Sequence, residues 1–365
     1  MDRKTKPLYV LLDKDTVVSQ IARCRAETEV APLQERLSVF EALVKEAPVS
    51  HAHLPDGDGR VSVRRDVLLE DLAQIRAART VRRAHYYLDR LGRAVCEVRT
   101  GAVNDINLNR WKEYDEVLTD SLWIVDRRDT SGAHEAWYWG NFIPQIPHQL
   151  LLRYTRAGEW VLDPFAGSGT TLIECRRLGR NGMGVELNPD VVTRASEAVA
   201  AEPNPHGVTT LISPGDSTAV DFRALLAAHG VDRVHFVILH PPYHDIIRFS
   251  DCADDLSTAS TLETFVARFA EVVARALHAL EPGRYFAVVI GDKYQDGAWI
   301  PLGFYTMQAV MALGATLKSV VVKNFEGTRG KREQQALWRY RALAGGFYVF
   351  KHEYIFVFQA PPDVP

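Results

Sequence analysis

The chain has 365 residues, and its 47% hydrophobic content is enough to bury one large core and a smaller second domain. Its formal net charge of −3 excludes a uniformly basic nucleic-acid binder, so any contact with nucleic acid needs a local basic surface. Four widely separated cysteines without a Cys-x-x-Cys pair argue against a disulfide framework or a zinc knuckle and indicate reduced thiols. We find no signal peptide and no apolar run of about 18 residues, and we therefore expect a cytoplasmic protein.

The N-terminal part, residues 1–103, is predicted to be a mainly helical region. Apolar residues recur at helical spacing in 17–46 and again in 67–91. Residues 60–99 hold ten arginines against five acidic residues, a local net charge of about +5. Such a face is either simply solvated or a part that contacts DNA phosphates and takes part in target recognition.

Residues 104–137 are expected to connect this region to a second domain, residues 138–365, in which strands and helices alternate. This alternation is typical of an α/β fold with a doubly wound, mostly parallel, Rossmann-like sheet of seven strands. The last two strands, joined by a long loop, suit a reversed hairpin. The predicted strands are 159–164, 182–187, 209–213, 234–240, 284–291, 316–323 and 352–359, and the predicted helices are 170–179, 189–201, 219–229, 260–280 and 302–313.

The most informative stretch joins the first two of these strands. The first strand ends on Asp163, the Gly-rich turn Phe165-Ala-Gly-Ser-Gly169 opens a helix at Thr170, and the second strand ends on Glu186. Glycines in the turn allow close backbone approach to a ligand, and the acid can accept from both hydroxyls of a ribose. The turn has neither the third Gly of a dinucleotide fingerprint nor the Lys of a P-loop. It therefore predicts a nucleoside-like ligand without a phosphate cradle, such as S-adenosylmethionine.

A second motif, His240-Pro241-Pro242-Tyr243, follows the apolar strand that begins at Val234. Two prolines fix φ and stiffen the loop at the carboxyl end of that strand, where open α/β sheets place their ligands. The tyrosine can stack on a flat ring. We therefore expect this loop to form part of a binding site.

Together, Asp-Pro-Phe-Ala-Gly-Ser-Gly-Thr-Thr and Pro-Pro-Tyr resemble the amino-directed DNA methyltransferases, which methylate N6 of adenine or N4 of cytosine. The resemblance covers roughly residues 138–360. It implies a site-specific methyltransferase with S-adenosylmethionine as cofactor and double-stranded DNA as partner, without a metal or a membrane. The family usually has Asp, Asn or Ser where this chain has His240, which is a departure.

The resemblance also implies where the cofactor binds. Asp163 would receive the cofactor's amino or backbone donors, Glu186 its ribose hydroxyls, and Asp216 its adenine amino group. A segment before the first core strand would close over the methionine end of the cofactor. The implied cofactor residues are Asn141, Phe142, Pro144, Asp163, Phe165, Ala166, Gly167, Ser168, Gly169, Thr170, Glu186 and Asp216.

The residues His240, Pro241, Pro242 and Tyr243 would hold a base flipped out of the duplex. An amino nitrogen conjugated to a heterocycle is a poor nucleophile, so the site must accept hydrogen bonds from both amino hydrogens. The carbonyl of Pro241 and the side chain at position 240 would do this, because a neutral His accepts through one ring nitrogen. Tyr243 would stack on the base and offset the free energy of flipping.

A basic segment, residues 318–341, carries aromatic residues and two glycines and is predicted to be a flexible loop that clamps DNA. Taken alone, such a charge run is usually a solvated loop. The candidate DNA-binding residues are Lys323, Arg329, Lys331, Arg332, Arg339 and Arg341.

Two other functions stay open. Some RNA base methyltransferases share the Pro-Pro-Tyr motif, and the His240 departure allows a catalytically inactive DNA-binding relic that still binds the cofactor. No endonuclease motif is apparent, so we expect a stand-alone methylase or one half of a two-gene restriction-modification system. Adenine and cytosine cannot be distinguished, because His240 removes the usual indication.

Overall fold

The computed structural model describes residues 7–53, 57–325 and 335–362 and divides the chain into two compact units. The first comprises Met1–Ala102 with Ile106–Glu116, and the second comprises Val103–Asp105 with Val117–Pro365. The expected connecting segment, residues 104–137, is thus shared between them. Within the described ranges, no helix is long and apolar enough to cross a membrane.

The first unit is mainly helical but also contains a small antiparallel sheet, which the sequence analysis did not predict. Its strands lie in the order β2-β1-β3, with Val10 opposite Val63. The run Tyr9–Leu12 is too short to distinguish a strand from a helix segment by its pattern, so its strand character depends on the partner. The elements are β1 (Tyr9–Asp13), α1 (Lys14–Arg25), α2 (Val30–Glu46), β2 (Val49–Ser50), β3 (Arg60–Arg64), α3 (Arg65–Arg76) and α4 (Val81–Cys96), followed by a 3-10 helix (Leu108–Glu113).

Several arginines of the basic stretch in the first unit are paired with acids of the same unit. These pairs are Arg64 with Asp66 and Asp115, Arg76 with Glu41, and Arg90 with Asp71. Arg79, Arg82 and Arg93 are exposed. The basic surface open to a partner is therefore smaller than the arginine count of the sequence suggests.

The second unit contains all seven predicted strands and three short strands that were not predicted, β4, β10 and β11. Its strands are β4 (Leu122–Trp123), β5 (Trp160–Asp163), β6 (Asn181–Glu186), β7 (Thr210–Pro214), β8 (Val234–Leu239), β9 (Leu280–Ile290), β10 (Lys293–Gln295), β11 (Ala298–Ile300), β12 (Thr316–Asn324) and β13 (His352–Gln359). Its helices are α5 (Gln145–Tyr154), α6 (Thr170–Leu178), α7 (Pro189–Ala201), α8 (Phe222–Ala227), α9 (Leu262–Ala279), α10 (Leu302–Ala312) and α11 (Gln335–Gly345).

Eight of these strands form one sheet in the order β4-β12-β13-β9-β8-β5-β6-β7, and β10 pairs with β11 separately. The pairs from β9 through β7 are parallel, whereas β13 runs antiparallel to both β9 and β12. The fold is the expected Rossmann-like α/β sheet with a reversed hairpin. The carboxyl ends of the parallel strands and the amino end of β13 consequently meet along one edge, which we call the carboxyl edge.

Both faces of this sheet are covered, as the nearly continuous apolar strands require. Val237 and Phe286 pack with the phenylalanines of α9 on one face. Phe236 and Ile355 pack with α5 on the other. Neighbouring residues of β8 thus belong to opposite layers, which fixes the register of the strand.

The Gly-rich turn between β5 and α6 requires its glycines for conformation. Gly167 and Gly169 have φ values of +49° and +79°. A Cβ on Gly169 would lie 2.7 Å from Cγ2 of Val199 in α7. The close approach at Gly169 is therefore to a neighbouring helix, whereas the sequence analysis expected it to be to a ligand.

Asp163, at the end of β5, holds this turn. Its Oδ1 accepts from the backbone N–H of Phe165 at 3.0 Å, and its Oδ2 accepts from the hydroxyl of Thr171 at 2.5 Å. The side chain is 1% exposed, and this burial raises the pKa of Asp163 to about 6, while the two hydrogen bonds oppose the rise. Asp163 thus couples the strand to the first turn of α6.

We expect Asp163→Asn to change the pH dependence of stability. Because the folded-state pKa is raised from 3.8 to about 6, the contribution of Asp163 is fully present below about pH 4 and is lost as the pH rises through 6. An amide resembles the protonated acid. The free energy of unfolding of the variant, relative to wild type, should therefore rise by at most roughly 3 kcal/mol between about pH 4 and 7. Urea unfolding at several pH values measures this difference. Asp190→Asn, at an exposed site on α7, is the control, and a difference independent of pH would contradict the role of Asp163.

Candidate active site

A cavity of about 1320 Å³ opens at the carboxyl edge of the second unit. Typical ligand cavities measure about 300–1,000 Å³, so this one has room for two ligands side by side. Its wall includes most of the residues that the sequence analysis selected, namely Asn141, Phe142, Phe165, Ala166, Gly167, Ser168, Thr170, Glu186, Asp216, His240, Pro241, Pro242, Tyr243 and Lys323. The Gly-rich turn and the His-Pro-Pro-Tyr loop therefore border the same space.

Other selected residues lie outside the cavity wall. Asp163 is buried at the end of β5, Gly169 ends the turn and packs against α7, and Pro144 is buried at the start of α5. The structure thus corrects the expected cofactor contact of Asp163, because its carboxylate is buried away from the cavity wall and bonds to the turn. The candidates Arg329, Lys331 and Arg332 lie outside the described residues.

Glu186, at the end of β6, is a buried carboxylate that faces the cavity. One oxygen accepts from the backbone N–H of Gly167 at 3.0 Å, and the other accepts from that of Asn188 at 2.9 Å. Burial raises the pKa of Glu186, while these backbone hydrogen bonds lower it. Each carboxylate oxygen can accept a further hydrogen bond, so Glu186 can still bind a pair of hydroxyls.

Asp216 follows β7 and also faces the cavity. Its oxygens accept from the backbone N–H of Thr218 at 2.8 Å and from the Thr218 hydroxyl at 2.6 Å. The adjacent Ser217 donates to the carbonyl of Pro164 at 2.6 Å. The loop after β7 is therefore tied to the Gly-rich turn, and the positions of Asp216 and the turn are coupled.

Asn141 has a buried side-chain amide that faces the cavity. Both its Oδ1 and its Nδ2 are buried without a hydrogen-bond partner among the described residues, although Asn141 lies in the cavity wall. Buried polar side-chain atoms are nearly always paired, so this amide suits a ligand that offers both a donor and an acceptor. The ammonium and carboxylate of a methionine moiety supply both. With Glu186 for a ribose and Asp216 for an amino group, the residues present fit S-adenosylmethionine.

His240, directly after β8, lies in the cavity wall. Its ring meets Phe142 edge-on at 4.7 Å between centroids, and its Nε2 is 3.3 Å from the hydroxyl of Tyr243. Burial lowers the pKa of His240 to about 4; Glu353 opposes this shift and Lys323 adds to it. The ring is therefore neutral at physiological pH and retains a lone pair on one nitrogen.

Tyr243 is held by its hydroxyl, which donates to Oε2 of Glu353 at 2.9 Å. Burial and the Glu353 charge raise the pKa of Tyr243 well above its usual range. Its ring also packs on Gly291, where a Cβ would lie 2.9 Å from the ring. Tyr243 is thus fixed from both ends and presents a stable wall to the cavity.

Lys323 and Glu353 form a buried ion pair behind Tyr243. The Lys323 ammonium is 2.9 Å from Oε1 of Glu353, and the residues are 4% and 3% exposed. The structure corrects the expectation that Lys323 belongs to an exposed DNA-binding loop. Glu353 was not among the residues selected from the sequence. An acid within the otherwise apolar strand β13 was a detectable signal, because a buried carboxylate needs a partner.

The segment expected to be a loop through residue 341 is partly helical, since α11 covers Gln335–Gly345. Trp338 lies in the cavity wall, and the Arg341 guanidinium stacks over its ring at 5.3 Å. Arg339 and Tyr340 are exposed on the same helix. Arg339 and Arg341 are therefore presented by a helix beside the cavity, whereas Lys318 and Lys323 belong to β12.

Comparison with known proteins agrees with the motifs. Residues 93–197 match a family model described as DNA methylase. The chain is 44% identical over 86 residues to the type II methyltransferase M.MjaII of Methanocaldococcus jannaschii, covering 21% of this chain and 16% of that protein. It is 34% identical over 106 residues to the type II methyltransferase M2.DpnII of Streptococcus pneumoniae, covering 27% and 40%. These matches span less than half of either relative.

Among solved structures, the chain is similar to TrmN from Thermus thermophilus, with a TM-score of 0.40 and 18% identity over 61% of this chain and 50% of that chain. Residues 93–197 are therefore similar to DNA methylases, and the similarity to the type II methyltransferases covers less than a third of this chain.

Proposed function

We propose that the chain is an S-adenosylmethionine-dependent DNA methyltransferase that methylates an exocyclic amino group, N6 of adenine or N4 of cytosine, in double-stranded DNA in the cytoplasm. One observation carries this proposal. A single cavity joins the nucleoside-binding residues around Glu186 to the His240–Tyr243 loop and has room for a cofactor and a base. The chain spans 16% to 40% of the length of the relatives described above, so the activity of the whole protein is our inference.

The cofactor half is formed by Glu186, Asp216 and Asn141. Glu186 would accept from the ribose hydroxyls, and Asp216 from the adenine amino group. The unpaired amide of Asn141 would bond to the amino-acid end. When bound, S-adenosylmethionine supplies a methyl group already activated by a positively charged sulfur. The chain's own contribution is to position the two ligands in line and to exclude water.

The base half is formed by His240, Pro241 and Tyr243. The lone pair of a ring-bound amino nitrogen is delocalised, and acceptors for both of its hydrogens favour the tetrahedral geometry that frees it. The Pro241 carbonyl and a neutral His240 ring can provide those acceptors. In the transfer, the amino nitrogen bonds to the methyl carbon and the carbon–sulfur bond breaks, with its electron pair remaining on sulfur. One amino proton then leaves, and His240 can accept it before solvent does.

Two parts of the chain are proposed, each by itself, to contact DNA: α11 in the second unit and exposed arginines in the first unit. Arg339 and Arg341 are exposed near Trp338, which lines the cavity. Arg79, Arg82 and Arg93 are exposed in the first unit, which we propose as a DNA-contact or target-recognition part. A catalytically inactive, DNA-binding protein is the second candidate, because of the His240 departure. Methyl transfer to duplex DNA separates the DNA methyltransferase from the inactive protein. Transfer to total tRNA instead would indicate an RNA base methyltransferase.

Glu186→Ala should weaken S-adenosylmethionine binding by roughly 1–3 kcal/mol, because hydrogen bonds to a charged acceptor are lost. Calorimetric titration of the cofactor measures this change. Glu186→Gln should lose less, because its amide oxygen can still accept. Asp190→Asn removes a nearby carboxylate that does not line the cavity and should bind like wild type. Unchanged affinity in both Glu186 variants would remove Glu186 from the cofactor site.

Activity should fall at low pH because a protonated His240 ring has no lone pair for the amino group. Since the pKa of His240 is lowered to about 4, the acid limb should lie near pH 4, well below the usual histidine value of about 6.5. His240→Asn and His240→Asp should retain activity, and the Asn variant should flatten this limb. His240→Ala should lose about 100-fold or more.

The measurement is initial methyl transfer to DNA from about pH 3.5 to 9, with recovery at pH 7 to exclude irreversible inactivation. His206→Asn, at an exposed histidine outside the cavity, should keep the wild-type profile. An unchanged acid limb in His240→Asn would assign the limb to another group. If neither wild type nor the Asn and Asp variants methylates DNA or RNA, the inactive candidate replaces the enzyme.

Reversing Arg339 and Arg341 together to Glu should weaken DNA binding and reduce its dependence on salt, because fewer counterions are released. Fluorescence anisotropy with duplex DNA at several salt concentrations measures both effects. The matched control reverses Lys318 and Arg275, which are exposed but do not line the cavity. Equal losses in both double variants would indicate a general charge effect and contradict a DNA-binding role for α11.

A further inference from the structure

Four side chains in the wall of the base half of the cavity form a continuous polar chain, which we call the Lys323–His240 relay. Lys323 Nζ is 2.9 Å from Oε1 of Glu353, and the Tyr243 hydroxyl is 2.9 Å from Oε2 of Glu353. His240 Nε2 is 3.3 Å from the Tyr243 hydroxyl. The members come from β12, β13 and the loop after β8, so they meet only in the folded sheet.

The direction of each hydrogen bond in the relay follows from the ion pair at its end. A carboxylate paired with an ammonium only accepts, so the Tyr243 hydroxyl must donate its single hydrogen to Glu353. The Tyr243 oxygen can then only accept from His240, which requires the hydrogen of the ring to be on Nε2. A neutral ring protonated on Nε2 has its lone pair on Nδ1.

The other ring nitrogen is available to a ligand. No residue in the described part of the chain forms a hydrogen bond with Nδ1 of His240. Nδ1 is also absent from the buried unpaired atoms, and His240 lies in the cavity wall. Four groups surround the His240 ring: the rings of Phe142 and Tyr243 and the charges of Glu353 and Lys323.

We propose that Glu353, held by Lys323 and acting through Tyr243, is a positioning residue that fixes His240 in the Nε2-protonated tautomer and so presents Nδ1 as the acceptor for the target amino group. The catalytic part of this inference rests on the proposed function, whereas the tautomer does not. It gives this chain a way to use histidine where the family has Asp, Asn or Ser.

The need for such a relay follows from the chemistry of the side chains. A carboxylate or amide oxygen at position 240 accepts whichever proton arrangement its neighbours have. A neutral imidazole accepts through only one of its two nitrogens, so the choice must be made by a partner. A buried ion pair is seldom a gain in stability over apolar residues of similar size, which favours a functional reason for Lys323 and Glu353.

The tautomer can be observed directly in the whole chain labelled with ¹⁵N-histidine, without cofactor or DNA. Two-bond ¹H–¹⁵N correlation spectra at pH 7 distinguish the protonated ring nitrogen from the unprotonated one. The His240 signals are identified by their loss in His240→Asn. We expect a single neutral form protonated on Nε2. Protonation on Nδ1, or on both nitrogens, would overturn the proposal.

Two variants test whether the relay causes this preference. Tyr243→Phe removes the acceptor for Nε2 and keeps the aromatic wall. Glu353→Gln introduces an amide that can donate to the Tyr243 oxygen. Each should replace the single form of His240 by a mixture of tautomers. Tyr354→Phe is the matched control. Tyr354 follows Glu353 in β13, and its hydroxyl contacts Asp292 at 3.3 Å and His352 at 3.0 Å.

The control should keep the wild-type tautomer, and the other histidine signals report whether each variant is folded. If Glu353→Gln does not fold, Tyr243→Phe decides alone. An unchanged single tautomer in Tyr243→Phe would show that the relay does not fix the ring.

Kinetics then test the catalytic consequence. Glu353→Gln should lower kcat by about tenfold or more, a part of the roughly 10²–10⁴ that a positioned proton acceptor contributes, with little change in KM for the cofactor. In the His240→Asn background the same substitution should have little further effect, because an amide oxygen needs no tautomer control. Equal losses in both backgrounds would overturn the positioning role. If wild type transfers no methyl group, the proposed function fails, and the spectra still decide the tautomer.

Discussion

The antiparallel pairing of β13 between β9 and β12 is the constraint on which the base half of the site depends. This pairing places Glu353 directly opposite Lys323, and residues opposite each other on adjacent strands have their side chains on the same face. It also brings the amino end of β13 to the edge where the parallel strands end. Without this reversed strand, the Tyr243 hydroxyl would have no carboxylate to donate to. Tyr243 could then not select the tautomer of His240.

The two halves of the cavity are built in different ways. The cofactor half comes mostly from consecutive pieces of chain, from β5 through the Gly-rich turn and α6 to the end of β6. Asp163 holds that turn through a backbone N–H and a hydroxyl that are two and eight residues away. The base half is assembled from segments up to 113 residues apart, from His240 to Glu353. Local hydrogen bonds define the first half, and sheet topology defines the second.

Burial of charge has a different consequence in each half. Glu186 and Asp163 are desolvated carboxylates, and burial raises the pKa of both. Glu353 is equally buried but is paired with Lys323, so it can act as a fixed negative end of the relay. The neutral His240 ring and the Pro241 carbonyl are thus the uncharged acceptors of the proposed base half, whereas the proposed cofactor half has the carboxylates of Glu186 and Asp216 in its wall.

The sequence by itself determined the α/β sheet, its strands and the two loops that border the cavity, because buried parallel strands read as apolar runs and turns have local signatures. It also selected Glu186 and His240 through their positions at strand ends. The roles of Asp163, Lys323 and Glu353 were decided only by the tertiary structure. Asp163 turned out to be a support for the turn because both of its oxygens found local donors. Lys323 and Glu353 became an ion pair because an antiparallel register, which no local pattern encodes, placed them face to face.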